Sequence, residues 1–76
     1  MTKFQYINTN IDKIKEEVKI GLLPTSIVNY YVIYSRYDYY RKLGNYVGFS
    51  VLYTSDNFGV SERTVYNIIK KMEEEI

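Results

Sequence analysis

The chain has no cysteine, no histidine and no tryptophan, and only one proline and four glycines in 76 residues. Without cysteine no disulfide can staple the fold. Without cysteine or histidine there is no zinc-finger ligand set, and the commonest general base is missing. A chain this short buries only ~60% of its unfolded surface, so its stability is expected to be modest. Small domains lean on disulfides, metals or oligomerisation; no signature spacing for a carboxylate-only metal site is present, which leaves oligomerisation. An excess of one charge is also lacking. Ten Lys and Arg face nine Asp and Glu, a formal net charge of +1, which argues against tight non-specific nucleic-acid binding by a monomer. No apolar run reaches membrane-spanning length: Ile27 to Tyr34 is short and broken by Asn29. The first residues lack the apolar stretch of a signal peptide. The expectation is a cytoplasmic chain with no membrane contact. There is no glycine-rich phosphate loop, no nucleophile beside a base and no paired-carboxylate site, so neither an enzyme nor a cofactor is expected.

What is present is helical periodicity. Residues 1–8 are short and mixed, either a tail or a segment packing through Phe4, Tyr6 and Ile7. Thr9 reads as a cap with Asp12 three residues on. Ile7, Ile11, Ile14 and Val18 form one stripe, and Gly21 ends that helix ahead of Pro24. A second pattern runs to Leu43 and stops at Gly44-Asn45. Its expected core stripe is Ile27, Tyr30, Tyr31, Tyr34, Tyr37 and Leu43, with Val28 and Ile33 alongside. No period-2 alternation appears, and nineteen residues are too long for one strand. The spacing predicts an all-α domain over residues 1–76 with four helices near 10–20, 25–43, 49–57 and 61–74.

The last two patterns are joined by Asn57-Phe58-Gly59-Val60-Ser61. Gly59 permits the positive φ of a sharp turn. Val60 pins the turn to the core. Ser61 is a good N-cap, and Glu62 places a carboxylate at the positive end of the helix dipole. Val65, Ile68 and Ile69 recur at helical spacing, while Glu62, Arg63, Thr64, Tyr66, Asn67, Lys70 and Lys71 fall on other faces. Ser55 is the small residue expected where the two helices approach. Thr54 departs from the large apolar residue usual at its position. This is the sequence form of a helix-turn-helix over about 49–74, whose second helix can enter a major groove.

The segment Phe58 to Met72 resembles the reading heads of bacterial and phage helix-turn-helix regulators, which carry a phrase like G-V-S-x-x-T-V-x-x-I. The match covers about 24 of the 76 residues and fixes the superfamily level only. The resemblance implies double-stranded DNA as partner, with Ser61, Glu62, Arg63, Thr64, Tyr66 and Asn67 where such heads touch it. Asn67 can pair bidentately with adenine and Arg63 with guanine. Tyr66, Thr64, Lys70 and Lys71 suit phosphate contacts, which position without reading sequence. From Tyr34 to Lys71 six basic residues face three acidic ones, so the near-zero total owes much to Glu73-Glu74-Glu75, which reads as a solvated, fraying helix end.

Tyr30 to Tyr40 holds six of the ten tyrosines. A small monomer cannot hide them all, so Tyr37, Tyr39 or Tyr40 is expected to mark an exposed partner surface. A two-fold homodimer would place two reading heads ~34–36 Å apart on two half-sites. The rival expectation is a protein-interaction module that uses the same fold without DNA.

Overall fold

The computed structural model describes residues 1–76 as five helices and no strand: α1 (Lys3–Thr9), α2 (Ile11–Lys19), α3 (Ser26–Lys42), α4 (Val47–Phe58) and α5 (Glu62–Met72). The fifth helix is α1, where the sequence left a choice between tail and packed segment. Thr2 and Gln5 form a reciprocal cap: the Gln5 amide donates to the Thr2 hydroxyl at 3.2 Å, and the Thr2 amide donates to the Gln5 side chain at 2.7 Å. Thr9, expected to cap α2, instead lies in the last turn of α1. Its hydroxyl donates back to the Gln5 carbonyl at 2.9 Å. The flanking residue is Asn10, which donates to the Tyr6 carbonyl and does not cap α2 with its side chain.

α2 turns Ile14 fully inward, with Ile11 and Val18 half-buried beside it. It closes at Gly21 with φ 86°. There the amides of Gly21 and Leu22 reach the carbonyls of Val18 and Glu17, satisfying two of the orphan acceptors of a helix end.

α3 is the spine, packed against each of the other four helices. Tyr34 and Tyr37 are buried, and Ile27, Val28, Tyr30, Tyr31 and Ile33 are half-buried against the same core. Two expectations fail here. Tyr37, which the sequence places both in the core stripe and on the aromatic surface, is 6% exposed and belongs to the core, not to a partner surface. Leu43 is exposed because it caps the end of α3, past the last turn that the neighbouring helices cover. α4 begins at Val47, before the expected Phe49, and buries Ser50, Val51 and Thr54 completely. Ser55 is only half-buried, so the small residues fully enclosed on α4 are Ser50 and Thr54. The Thr54 hydroxyl donates to the Ser50 carbonyl at 2.7 Å, which satisfies it within its own helix. A threonine there thus replaces a larger apolar residue without leaving a donor unpaired.

The three terminal glutamates are not a fraying end. α5 stops at Met72, and the following residues fold against the N-terminal arm. The Lys3 amide donates to the Glu74 carbonyl at 2.8 Å and the Ile76 amide to the Met1 carbonyl at 3.0 Å. Lys3 Nζ meets the Glu74 carboxylate at 2.7 Å, and the N-terminal amine lies 3.2 Å from Glu75. The Tyr34 hydroxyl donates to Glu73 at 2.9 Å. Phe4 fills the space beneath, with its ring 4.5 Å from that of Tyr34 and 5.6 Å from that of Tyr31. No helix is long and apolar enough to cross a membrane.

Burial, and then the hydrogen bond to the Glu73 carboxylate, push the Tyr34 phenol above the ordinary tyrosine range. Burial and the same carboxylate raise Tyr37, partly opposed by Arg41. The folded state therefore favours both neutral phenols. Their contribution to stability is complete below pH ~10 and is lost as pH rises through the folded values. In an alkaline absorbance titration, two of the ten tyrosines should ionise after the rest, together with loss of helical signal. All ten ionising as one class in the folded protein would contradict this packing.

Candidate nucleic-acid interface

The orientation of α5 is set at the turn that precedes it. Gly59 closes α4 in the left-handed region, φ 64° and ψ 31°. Side chains there cost ~1–2 kcal/mol in L-residues, although a Cβ at this position would meet nothing within 4 Å. The Val60 amide returns to the Ser55 carbonyl at 3.2 Å, and the Val60 side chain packs on the core. Ser61 is the N-cap of α5: the Thr64 amide donates to its hydroxyl at 3.1 Å, and the Ser61 and Thr64 hydroxyls lie 2.9 Å apart. Glu62 is the acidic residue of the first turn.

Val65, Ile68 and Met72 are buried, and Ile69 is half-buried. At about 100° per residue, these four define the inner face. The line opposite them runs through Arg63, Asn67 and Lys70, one to two turns apart. Glu62 and Tyr66 lie on one shoulder of that line, Thr64 and Lys71 on the other. All seven outward residues are exposed, as is Ser61 at the turn. Arg63, Asn67 and Lys70 make no hydrogen bond or salt bridge within the chain: the three ion pairs present involve Met1, Lys3 and Lys42. Three cations on α5 thus face one carboxylate, Glu62, on the same helix.

The structure brings all eight expected residues to one exposed helix face and its leading turn. It adds one that sequence reasoning missed. Tyr30 of α3 lies beside α5 with the Lys71 ammonium 5.5 Å from its ring centroid, a cation–π contact. Tyr30, Thr64, Asn67, Lys70, Lys71 and Glu74 line an open groove of about 520 Å³ along that flank. No signal in the sequence could place Tyr30 there, because the contact spans forty residues and depends on how α3 crosses α5. Glu74 lies close enough to Lys70 and Lys71 for them to help hold its carboxyl below the usual range, after the larger effect of Lys3. That carboxylate weakens the positive field at the C-terminal end of α5. No three acidic side chains converge as a metal site would require.

Comparison with protein-family models, curated proteins and solved structures finds no match for this chain. The site is therefore defined by its geometry alone.

Because the outward row has no partner within the chain, Arg63→Ala, Asn67→Ala and Lys70→Ala should each change stability by less than ~0.5 kcal/mol. Ser61→Ala should cost ~1 kcal/mol through loss of the cap. Gly59→Val should cost ~1–2 kcal/mol, and Gly59→Asn less, since asparagine tolerates the left-handed region. Urea denaturation measures all six. A loss above ~1 kcal/mol from Asn67→Ala would show that the fold, and not a ligand, uses its side chain.

Proposed function

We propose that α4, the Gly59-Val60-Ser61 turn and α5 form a helix-turn-helix, and that the chain binds double-stranded DNA sequence-specifically as a transcriptional regulator. The observation that carries this reading is the row Arg63, Asn67 and Lys70, exposed and unpartnered on a helix whose rotation is fixed by a capped turn. On this reading α5 lies in the major groove. Arg63 pairs with O6 and N7 of a guanine, and Asn67 with N6 and N7 of an adenine. Lys70, Lys71, Tyr66 and the Ser61–Thr64 hydroxyl pair contact phosphates and set the register. Glu62, at the entry to the groove, can accept from a cytosine amino group. Binding is an equilibrium process with no covalent step.

A second reading, a protein-interaction module of the same fold without DNA, is favoured by a separate feature, the aromatic surface that Tyr39, Tyr40, Phe49 and Tyr53 form on α3 and α4. The two readings separate in a titration with random duplex at two salt concentrations. Each phosphate contact adds about 0.9 to the log–log salt slope, so a DNA-binding chain weakens steeply as salt rises, and an interaction module shows no binding at either. Selection from a random duplex library then supplies the specific site. On that site Asn67→Ala and Arg63→Ala should each lose ~1–3 kcal/mol, with smaller losses on random duplex. Lys70→Ala should weaken both equally and lower the salt slope by about one. Equal losses from Asn67→Ala on both duplexes would reassign it to phosphate, and no loss on either would remove it from the interface.

A further inference from the structure

Leu43 to Ser55 carries no charge, and its exposed aromatic residues adjoin tyrosines of α3. The pole of α4 opposite the buried Ser50, Val51 and Thr54 carries Phe49 and Tyr53, whose rings stack with centroids 6.2 Å apart. Tyr53 meets Tyr40 of α3 at 5.4 Å, and Tyr40 meets Tyr39 at 5.5 Å. Tyr46, the N-cap of α4, is 77% exposed; Phe49, Tyr39 and Tyr53 are 53%, 51% and 39% exposed. The charges that fringe this face are already engaged. Lys42 pairs with Asp38 at 2.8 Å, Arg41 donates to the Asn45 carbonyl, and Arg36 lies over the Tyr39 ring at 5.7 Å.

We infer that this α3–α4 face docks a second copy of the chain about a two-fold axis, with the two α4 helices antiparallel and Phe49 of each against Tyr53 of the other. The chemistry selects this occupant. A nucleic acid needs cations, and the stretch has none. A membrane surface binder couples its apolar face to free lysine and arginine, whereas Arg36, Arg41 and Lys42 at this edge are engaged within the chain. A two-fold contact must match itself, which a face of one charge sign cannot do and a neutral one can. Tyrosine hydroxyls are donors and acceptors at once, so Tyr39, Tyr46 and Tyr53 can bond across the axis to identical groups. The one charge on the α4 pole is Asp56, three residues beyond Tyr53. In the antiparallel arrangement the axis passes near residue 51, so the two Asp56 side chains lie ~15 Å apart along the helices, beyond the ~8–10 Å screening length. The exposed parts of the four rings amount to about two whole aromatic side chains, roughly 300–500 Å². Leu43, Val47 and Leu52, all exposed, extend this toward the ~800 Å² per partner of a standard interface.

This inference goes beyond the DNA reading and does not depend on it. Sedimentation equilibrium of the wild-type chain at tens of micromolar, without DNA, should give a dimer mass. Phe49→Glu and Tyr53→Glu should each give a monomer with an unchanged circular dichroism spectrum. Leu22→Glu, at a still more exposed apolar residue on the α2–α3 connection, should leave the dimer intact. The chain has no cysteine, so Leu52→Cys next to the axis should form a disulfide-linked dimer on mild oxidation, whereas Leu22→Cys should not; this arm holds even if a glutamate variant fails to fold. A monomeric wild type, or a dimer lost in Leu22→Glu and kept in Phe49→Glu, overturns the assignment. A dimer that ignores duplex DNA keeps this inference and removes the DNA reading, and a DNA-binding monomer does the reverse.

Discussion

The rotation of α5 about its own axis is the constraint on which the rest of the molecule depends. Val65, Ile68 and Met72 must face α3 and α4, and only one rotation allows this. A slip of one residue turns the helix by about 100°; it would swing Val65 and Met72 toward solvent and bring a charged shoulder under α3. The slip is blocked at both ends. At the start, the left-handed Gly59, the inward Val60 and the Ser61 cap fix where the helix begins. At the end, Glu73 receives the Tyr34 hydroxyl and Glu74 is held by Lys3. The exposed row of Arg63, Asn67 and Lys70 follows from burying the opposite face.

The second constraint is how such a short chain makes a core from tyrosine. Rings bury as much area as any side chain, but each hydroxyl needs a partner or water. Tyr34 finds Glu73, Tyr31 finds Asn8, and Tyr40 finds Asn57. Each bond ties α3 to a different part of the chain: the residues after α5, α1 and α4. The tyrosines thus fill space and also cross-link the helices without a disulfide. The same role explains the acidic end. Three successive glutamates after a helix C-terminus oppose the helix dipole, yet here each carboxylate meets a donor or cation from α3 or the N-terminal arm. These surface pairs are individually weak. They work with the backbone bonds between Lys3 and Glu74 and between Ile76 and Met1, which set the geometry.

Local rules made α5 and its turn legible. A glycine for positive φ, a serine cap and apolar residues at helical spacing are all written within fifteen residues, so the exposed face of α5 is legible without any tertiary contact. α3 was harder. A helix touched on several sides has no clean apolar stripe, so Tyr37 fits both the core stripe and the surface aromatics, and Leu43 reads as core. The fate of each depends on where neighbours end, which spacing does not encode. α1 was missed although Thr2 and Gln5 have the capping-box spacing, because seven residues are too few for periodicity to show. Tyr30 beside Lys71 and the docking of Glu73 to Glu75 are purely tertiary, and no local pattern predicts them.

The near-zero net charge, which argues against tight non-specific nucleic-acid binding, is an average over surfaces of different chemistry. The carboxylates of Glu73, Glu74 and Glu75 are drawn into bonds with Tyr34, Lys3 and the N-terminal amine. Leu43 to Ser55 contributes no charge at all. The cations of α5 are left with only Glu62 on their own helix. The total of +1 is thus the sum of a cation-bearing α5 face, an uncharged stretch and an acidic end folded onto the N-terminal residues. On the DNA reading, the charge that matters is local to α5, where Arg63 stands beside Glu62 and Lys70 and Lys71 stand near Glu74, so each end of the row sets cations against one carboxylate.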